Sequence, residues 1–210
     1  MVKAILFDLD GTILDTSEFI LQAFEHSLKH QGITDVKRSH MIKKMGPALT
    51  EMYKILAPQA NMEQFVRSHR DFQADNLALS RPFPQVPEVL QKIHKSGIKI
   101  GAVTSRSNEN SIKTLELADI KQYFEIVVSF EDVKNPKPDP EGVLMALKYM
   151  NVRPVDTMMV GDTYVDVEAG RSAGTKTVGI THGMRGDDVK ISNPDYLISS
   201  ISELLEIIEI

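Results

Sequence analysis

The chain has 210 residues, 42% hydrophobic and 25% charged, which is an ordinary composition for a globular protein with a buried core. Its formal net charge is -5, so no basic surface predicts a nucleic-acid partner, and the absence of cysteine excludes disulfides, thiol catalysis and cysteine-bound metals. No basic and apolar leader precedes the first apolar run, and no apolar segment is long enough to span a bilayer. We therefore expect a cytoplasmic protein without a membrane partner.

The chain opens with a short apolar run, Ala4 to Phe7, which ends in two acids and a glycine, Asp8, Asp10 and Gly11. A short apolar run bounded by a turn residue is typical of a fully buried strand. The acids then follow its carboxyl end, which is where open α/β sheets bind their ligands. Two carboxylates so close together are costly to bury unless a cation or proton neutralises them, so the pair predicts a metal ion.

Residues 16–81 carry an almost wholly helical pattern, for which Asp15 or Thr16 is the expected first cap. The Met and Phe residues of this stretch are expected to pack against one another, because Met fills irregular helix cores. The stretch is predicted to form a small helical bundle. Its expected helices after the first, which ends near Gly32, are 37–44, 47–56 and 62–79.

The predicted secondary structure changes to alternating helices and strands after about residue 86. Asp139 is the expected cap of the helix that begins at Pro140, and Ser107 caps another helix. Strands that alternate with helices predict an α/β fold with a parallel sheet and right-handed crossovers. The expected strands are 99–103, 126–129, 157–160, 177–180 and 196–198, and the expected helices are 86–96, 107–117, 140–149, 164–173 and a last one from about 201.

Polar or charged side chains follow several of these strands or their loops. Because the carboxyl ends of parallel strands share one edge of the sheet, a single cleft can collect all of them. The side chains in question are Asp8 and Asp10, Thr104 and Ser105, Lys137, and Asp162 with Asp166.

The acids of this set predict metal-assisted chemistry. Asp8 can act as a carboxylate nucleophile, one of the groups that form phosphoenzymes. A hard cation such as Mg²⁺ prefers oxygen ligands, and Asp8, Asp162 and a backbone carbonyl can hold it. Asp166, one helical turn further on, is expected to support the ion through hydrogen bonds or water. Asp10 can protonate a leaving alcohol and then activate water.

The remaining polar groups suit an anionic substrate. Thr104 and the amides of Ser105 and Arg106 open a helix, where backbone N–H groups and the helix dipole favour an anion. Lys137 is a compact positive charge that can screen the nucleophile and a transferring phosphoryl group.

These motifs together resemble the haloacid dehalogenase superfamily of phosphohydrolases over essentially the whole chain. The resemblance implies a Rossmann-like doubly wound core, 1–15 and 82–210, with the helical bundle 16–81 inserted as a mobile cap. Within the family, the chain looks most like bacterial phosphoglycolate phosphatases and the related pyrophosphatases. The matching motifs are Asp8-Leu-Asp-Gly-Thr12, Thr104 after a strand, Lys137 before a proline, and Gly161-Asp-Thr-Tyr-Val-Asp166.

The resemblance implies a Mg²⁺-dependent phosphatase for a small phosphorylated metabolite, either a phosphoglycolate-like monoester or pyrophosphate, acting as a monomer or homodimer. It implies that Asp8 forms an aspartyl-phosphate and that Asp10 is the acid/base and lends its backbone carbonyl to the ion. Asp162 is then a metal ligand, while Thr104 and Lys137 bind the phosphoryl group.

Specificity is expected to come from the helical insert and the approach loops, since the core handles only phosphate. Candidate residues are Lys43 with the Gly46-Pro47 turn, Arg106, which can read a second acidic group, and His182 after a strand of the same edge. The other histidines are interpreted as surface residues, namely His26, His30, His40, His69 and His94.

Three other functions share parts of this pattern. Hydrolytic dehalogenation uses the same nucleophile but needs neither a metal nor Asp10, whose presence argues against it. A phosphosugar mutase resembling β-phosphoglucomutase would keep every core motif, but it clamps a bisphosphate with an arginine of the cap, and residues 47–49 contain none. A catalytically silent binding module would have at least one damaged motif, and all four are intact.

Overall fold

The computed structural model of the chain describes residues 1–44, 49–184, 186 and 188–210. By the contacts among its residues, the chain divides into two units, Met1–Asp15 with Arg81–Ile210, and Thr16–Ser80. The first unit is an α/β structure and the second is built from helices. No helix in the described part of the chain is long and apolar enough to cross a membrane.

The α/β unit is organised around a parallel sheet. Its order is β5-β4-β1-β6-β7-β8, while β2 and β3 pair as a separate short antiparallel ribbon. From β1 the chain moves out to one side through β4 and β5, then returns to the other side of β1 as β6, so β1 lies at the switch point of the sheet. The strands are β1 Ala4–Phe7, β2 Leu14–Asp15, β3 Arg81–Pro82, β4 Lys99–Val103, β5 Ile126–Val128, β6 Thr157–Gly161, β7 Lys176–Ile180 and β8 Tyr196–Ile198.

Helices cover both faces of this sheet, which confirms the doubly wound α/β fold. Along β1, Ile5 and Phe7 belong to one hydrophobic cluster, whereas Ala4 and Leu6 belong to another. Residues of the helices 86–95 and 203–207 contribute to the first cluster, and residues of 141–150 and 164–173 to the second. The helices of this unit are α5 Val86–Lys95, α6 Asn108–Leu117, α7 Glu141–Met150, α8 Tyr164–Ala173, α9 Asp188–Ile191 and α10 Glu203–Ile207.

The helical unit packs around an aromatic group. The ring of Tyr53 stacks on that of Phe65 with centroids 4.4 Å apart, and Phe24 packs against both Tyr53 and His69. The Tyr53 hydroxyl and the His69 Nδ1 lie 2.8 Å apart, which satisfies both polar groups in the core. The described helices of this unit are α1 Ser17–His30, α2 Arg38–Lys44, α3 Leu49–Leu56 and α4 Met62–Asp75.

The prediction that His69 lies on the surface is wrong, because its side chain is only 3% exposed. Burial lowers the pKa of this imidazole to about 4, with the nearby positive charge of Arg70 acting in the same direction. The ring is therefore neutral at neutral pH. The hydroxyl of Tyr53 makes such burial tolerable by giving a ring nitrogen a partner.

Several local predictions differ from the structure in detail. Thr16 occupies the cap position of α1, but no side-chain hydrogen bond caps the helix. Asp139 does accept a hydrogen bond at a helix start, from the Glu141 N–H at 2.9 Å, although Pro140 is the cap residue and α7 begins one residue later. The ribbon of β2 and β3 and the four-residue α9 were not predicted, since such short elements carry no periodicity.

Candidate active site

The site begins where β1 ends. The Asp8 N–H donates to the Val160 carbonyl at 2.9 Å, so the sheet ladder continues one residue past β1 and holds the Asp8 backbone rigidly. The Lys137 ammonium donates to Asp8 Oδ1 and to Asp166 Oδ1, both at 2.6 Å, and to the Val103 carbonyl at 2.9 Å. A single buried ammonium therefore connects two carboxylates and the end of the neighbouring strand.

Two further acids complete this cluster from the β6–α8 connection. Thr12 Oγ1 donates to Asp162 Oδ1 at 3.2 Å. Asp166 Oδ2 accepts from the backbone N–H of Thr163 at 3.1 Å and from its hydroxyl at 2.5 Å, an arrangement that caps α8. Asp8, Asp162 and Asp166 each offer an oxygen, and these oxygens all lie within 4.8 Å of one another.

Two glycines permit the close approach of these acids. Gly11 has a φ of +79°, and a Cβ there would collide with the Asp162 carboxylate, 2.8 Å from its Cγ. A Cβ on Gly161 would collide with the side chain of Asp166. Any side chain at either position would push a carboxylate out of the cluster, and at Gly11 the backbone conformation would add strain.

The cluster carries more negative than positive charge. Burial raises the pKa of Asp8 to about 7; Lys137 opposes this rise, and the charges of Asp166 and Asp10 add to it. Burial likewise raises the pKa of Asp162 well above its ordinary value, with Asp166 and Asp8 adding to the effect. Burial works against the charge of Lys137, but attraction to Asp166 and Asp8 outweighs it and raises the pKa of the ammonium. Three buried carboxylates thus share one buried cation.

The turn between β4 and α6 supplies the groups predicted to bind an anion. Thr104 is buried and Ser105 is exposed, and both line one pocket together with Lys137. Ser107 caps α6 as predicted, since its side chain accepts a hydrogen bond from the Asn110 N–H at 3.4 Å. The N–H of Asn108 donates to Glu131 Oε2 at 2.9 Å, so two of the first three amides of α6 already have protein acceptors.

Arg106 contacts Asp10. Its Nε lies 2.9 Å from Asp10 Oδ1 and 2.8 Å from Oδ2, and its Nη2 lies 2.7 Å from Oδ1. Its Nη1 donates to the hydroxyl of Thr114 at 2.9 Å. The side chain is 7% exposed. The guanidinium that was expected to read an acidic group of the substrate is here engaged with an acid of the protein itself.

Of the other candidate specificity residues, one lies beside the acid cluster, one lies in the helical unit and two lie outside the described residues. His182 is the first, since a Cβ on the adjacent Gly183 would collide with Asp162 Oδ2. The His182 Nε2 donates to the Thr12 carbonyl at 2.8 Å, and its ring stacks on Phe83 with centroids 3.8 Å apart. Burial lowers the pKa of this histidine. Lys43 is an exposed residue at the end of α2 in the helical unit. Gly46 and Pro47 lie outside the residues that the structure describes.

Sequence reasoning gave no role to two threonines of this region. Thr12 stands inside the first motif, so its hydroxyl, placed directly after the Gly11 turn, was a usable signal for a partner of Asp162. Thr114 lies in the middle of α6, and nothing in its sequence neighbourhood marks it as a partner of Arg106.

Residues 5–180 match the family described as haloacid dehalogenase-like hydrolase. The chain belongs to this family. A pyrophosphatase, PpaX, of Bacillus velezensis is 36% identical over 208 residues, covering 98% of this chain and 96% of that protein. The PpaX of Bacillus mycoides is 33% identical over 209 residues, covering 99% and 97%.

The likeness extends to solved structures. A crystal structure of a predicted phosphoglycolate phosphatase from Haemophilus somnus superposes with a TM-score of 0.91 at 23% identity, covering 99% of this chain and 98% of that one. This second likeness concerns the fold alone. The family match and the pyrophosphatase relatives identify this member of the haloacid dehalogenase-like hydrolases as a phosphatase enzyme.

Proposed function

We propose that this phosphatase hydrolyses a small phosphorylated metabolite through a phosphoenzyme formed on Asp8, with Mg²⁺ held by the surrounding carboxylates. The observation that carries the proposal is the position of Asp8. Its carboxylate lies at the switch point of the sheet, 2.6 Å from an ammonium that it shares with Asp166. A carboxylate fixed in this way can attack phosphorus without rearrangement of the backbone.

The residues fit a hard divalent cation. All the candidate side-chain ligands are oxygens of carboxylates, which Mg²⁺ prefers. Three carboxyl groups face one ammonium, and the raised pKa values of Asp8 and Asp162 mean that the site takes up positive charge, either as protons or as a cation. Asp8, Asp162 and the Asp10 backbone carbonyl would hold the ion, with Asp166 supporting it. When bound, Mg²⁺ screens the negative charge of the phosphoryl group.

In the first half of the reaction, an Asp8 oxygen attacks phosphorus, and the bond between phosphorus and the leaving oxygen breaks. Asp10 gives a proton to that oxygen, so that the product leaves as a neutral hydroxyl group. Lys137, Thr104 and the backbone amide of Ser105 stabilise the charge that develops on the three remaining phosphoryl oxygens.

In the second half, Asp10 takes a proton from a water molecule whose oxygen attacks the phosphorus. The bond between phosphorus and Asp8 breaks, which releases inorganic phosphate, restores the Asp8 carboxylate and leaves Asp10 protonated for the next cycle. The two acids therefore keep distinct tasks, since Asp8 bonds to phosphorus and Asp10 only moves a proton.

Pyrophosphate is the first substrate to test. The relatives that carry the name pyrophosphatase match nearly the whole chain at 31 to 36% identity. A phosphoglycolate-like monoester is the second, because several structural neighbours are named as phosphoglycolate phosphatases. A panel ranked by kcat/KM distinguishes them, since specificity is a ratio of that quantity, and a marked preference for pyrophosphate is the expected result.

The enzyme class is tested with p-nitrophenyl phosphate, with and without Mg²⁺, on the wild type and on Asp8→Asn. Asp195→Asn is the matched control, because Asp195 also accepts a hydrogen bond from a lysine ammonium, that of Lys176 at 3.2 Å, at the opposite edge of the sheet. We expect release by the wild type and the control only, and only with Mg²⁺. Undiminished release by Asp8→Asn would overturn the proposal.

A further inference from the structure

The contact between Arg106 and Asp10 is asymmetric. Oδ1 of Asp10 faces both Nε at 2.9 Å and Nη2 at 2.7 Å, whereas Oδ2 faces Nε alone at 2.8 Å. The two side chains also differ in burial, with 7% of the Arg106 side chain exposed and 28% of the Asp10 side chain. Arg106 thus holds both oxygens of the Asp10 carboxylate, Oδ1 through two nitrogens and Oδ2 through Nε.

Arg106 is itself fixed from several directions. Its backbone N–H donates to Thr104 Oγ1 at 3.2 Å, and its carbonyl accepts from the Phe130 N–H at 3.2 Å. Its Nη1 donates to Thr114 Oγ1 at 2.9 Å, and Thr114 is fully buried in α6. One residue therefore links the phosphate-binding turn to the carboxylate that follows β1.

A stability role alone explains this arrangement poorly. Buried ion pairs often contribute little net stability, because the cost of removing both charges from water offsets their attraction. An aspartate that is partly exposed samples several rotamers unless something holds it, and proton transfer tolerates only about 1 Å of misplacement before the rate falls about 10²-fold. Arg106 is placed to prevent such misplacement of Asp10.

We infer that Arg106, anchored on Thr114, is a positioning residue that holds the Asp10 carboxylate in the orientation that proton transfer requires. The inference rests on the proposed function, in which Asp10 is the proton carrier. In the first half-reaction the proton passes from the Asp10 carboxyl group to the leaving oxygen as its bond to phosphorus breaks. In the second, the Asp10 carboxylate takes a proton from the attacking water as the bond between phosphorus and Asp8 breaks.

The test compares two leaving groups. Nitrophenolate departs without a proton, whereas the alkoxide of propyl phosphate needs one, so kcat/KM for propyl phosphate depends on Asp10 far more strongly. We expect Arg106→Gln to lower kcat/KM on the order of 10²-fold for propyl phosphate and less than about threefold for p-nitrophenyl phosphate. Arg106→Lys keeps the positive charge but loses the planar guanidinium that binds the carboxylate through two nitrogens. The ratio of its kcat/KM for propyl phosphate to its kcat/KM for p-nitrophenyl phosphate should therefore lie between those of the wild type and Arg106→Gln.

A second readout follows the other half-reaction. With p-nitrophenyl phosphate, Arg106→Gln should release a burst of about one nitrophenolate per active site, because the phosphoenzyme forms quickly and its hydrolysis needs Asp10 as a base. Thr114→Val removes only the hydroxyl that anchors Arg106, and it should shift the ratio of the two kcat/KM values in the same direction by about threefold to tenfold.

Arg171→Gln is the matched control. Its guanidinium also binds an acid, Glu168, and the carbonyls of Ser192 and Asn193, so it tests the loss of a similar arginine away from the acid cluster. It should leave the ratio unchanged. If Arg106→Gln does not fold, the ratios of the two kcat/KM values measured for Arg106→Lys and Thr114→Val test the inference.

The outcomes separate this inference from the proposed function. If Asp10→Asn shifts the ratio and all the Arg106 and Thr114 variants stay within about twofold of the wild type, Arg106 has only a structural role and the inference alone falls. If Asp10→Asn itself leaves the ratio unchanged, the proton role of Asp10 falls, and the inference with it.

Discussion

The two units of the molecule bury polar side chains in opposite ways. In the helical unit, Tyr53 and His69 form a neutral pair in which each satisfies the other, and burial keeps the imidazole uncharged. In the α/β unit, three carboxylates are buried around Lys137, and burial raises the pKa of Asp8 to about 7. The first arrangement stabilises a core. The second costs stability unless a cation or substrate is bound, which is typical of a functional site.

The largest expected effect comes from neutralising Asp8. Asp8→Asn should lower turnover by at least about 10⁴-fold, because the nucleophile is lost. The same change should raise the thermal midpoint of the metal-free protein at pH 8 by several degrees, since about 1 kcal/mol corresponds to roughly 2 to 4 °C for a chain of this size. Turnover assays and thermal unfolding in a chelator measure the two effects. An unfolding midpoint well below that of the wild type would show that the cluster is not under electrostatic strain.

The second effect concerns the metal. Mg²⁺ at about 100 times its dissociation constant should stabilise the wild type by about 2.7 kcal/mol, and a chelator should remove both this gain and the activity. Asp162→Asn should lose most of the gain, while Asp195→Asn, the control at the opposite edge of the sheet, should keep it. Thermal shift titrations with Mg²⁺ measure this directly, and equal shifts in both variants would contradict the assignment of Asp162.

The third effect is the pH dependence of the helical unit. The folded pKa of His69, about 4, lies below the ordinary histidine value of 6.5, so the unfolded chain binds more protons between these values. The neutral His69 ring makes its full contribution to the free energy of unfolding above pH 6.5. This contribution, about 3 kcal/mol, is lost as the pH falls from 6.5 towards 4.

The variant that isolates this dependence is Tyr53→Phe with His69→Phe. Replacing both partners by apolar rings is close to neutral for stability at pH 7 but removes the proton uptake on unfolding. Denaturant unfolding at a series of pH values should therefore give a shallower pH dependence than in the wild type. His40→Phe, which changes an exposed histidine, should keep the wild-type dependence. If the double variant kept it too, the pH dependence would originate elsewhere.

The smallest effect is that of Tyr53→Phe alone. It leaves the His69 Nδ1 buried without its tyrosine partner, which should cost about 1 to 3 kcal/mol of unfolding free energy. Tyr149→Phe, on an exposed tyrosine of α7, should cost almost nothing. The rate of phosphoenzyme formation should be the same in both, because neither residue belongs to the acid cluster. A slower formation of the phosphoenzyme in Tyr53→Phe would contradict the distinction between a neutral buried pair that only stabilises the fold and a charged cluster that carries the reaction.

The acid cluster could be predicted because its parts follow strand ends. The order of elements predicts a parallel sheet, and a parallel sheet brings Asp8, Thr104, Lys137 and Asp162 to one edge whatever its exact twist. The partners of these residues were harder to find. Arg106 looked like a substrate-binding residue because sequence shows a charge after the turn but not the direction in which its side chain points.

Burial of single polar residues was the other limit. His69 lies on a helix with a polar sequence and was taken for a surface residue, yet its ring nitrogen meets the Tyr53 hydroxyl from a different helix. The partnership between Arg106 and Thr114 also depends on a side-chain direction that no periodicity encodes. Such pairs depend on tertiary packing, which the helical and strand periods alone do not describe.

The most direct test of the account is to trap the phosphoenzyme. Wild-type protein mixed with a phosphate-labelled substrate and Mg²⁺ is quenched in acid within milliseconds, digested, and its peptides are analysed by mass spectrometry. The account predicts one acid-stable, hydroxylamine-sensitive phosphate on Asp8, absent from Asp8→Asn and present at higher occupancy in Asp10→Asn when p-nitrophenyl phosphate is the substrate. Turnover without any phosphate on Asp8, or with the phosphate on another residue, would contradict it.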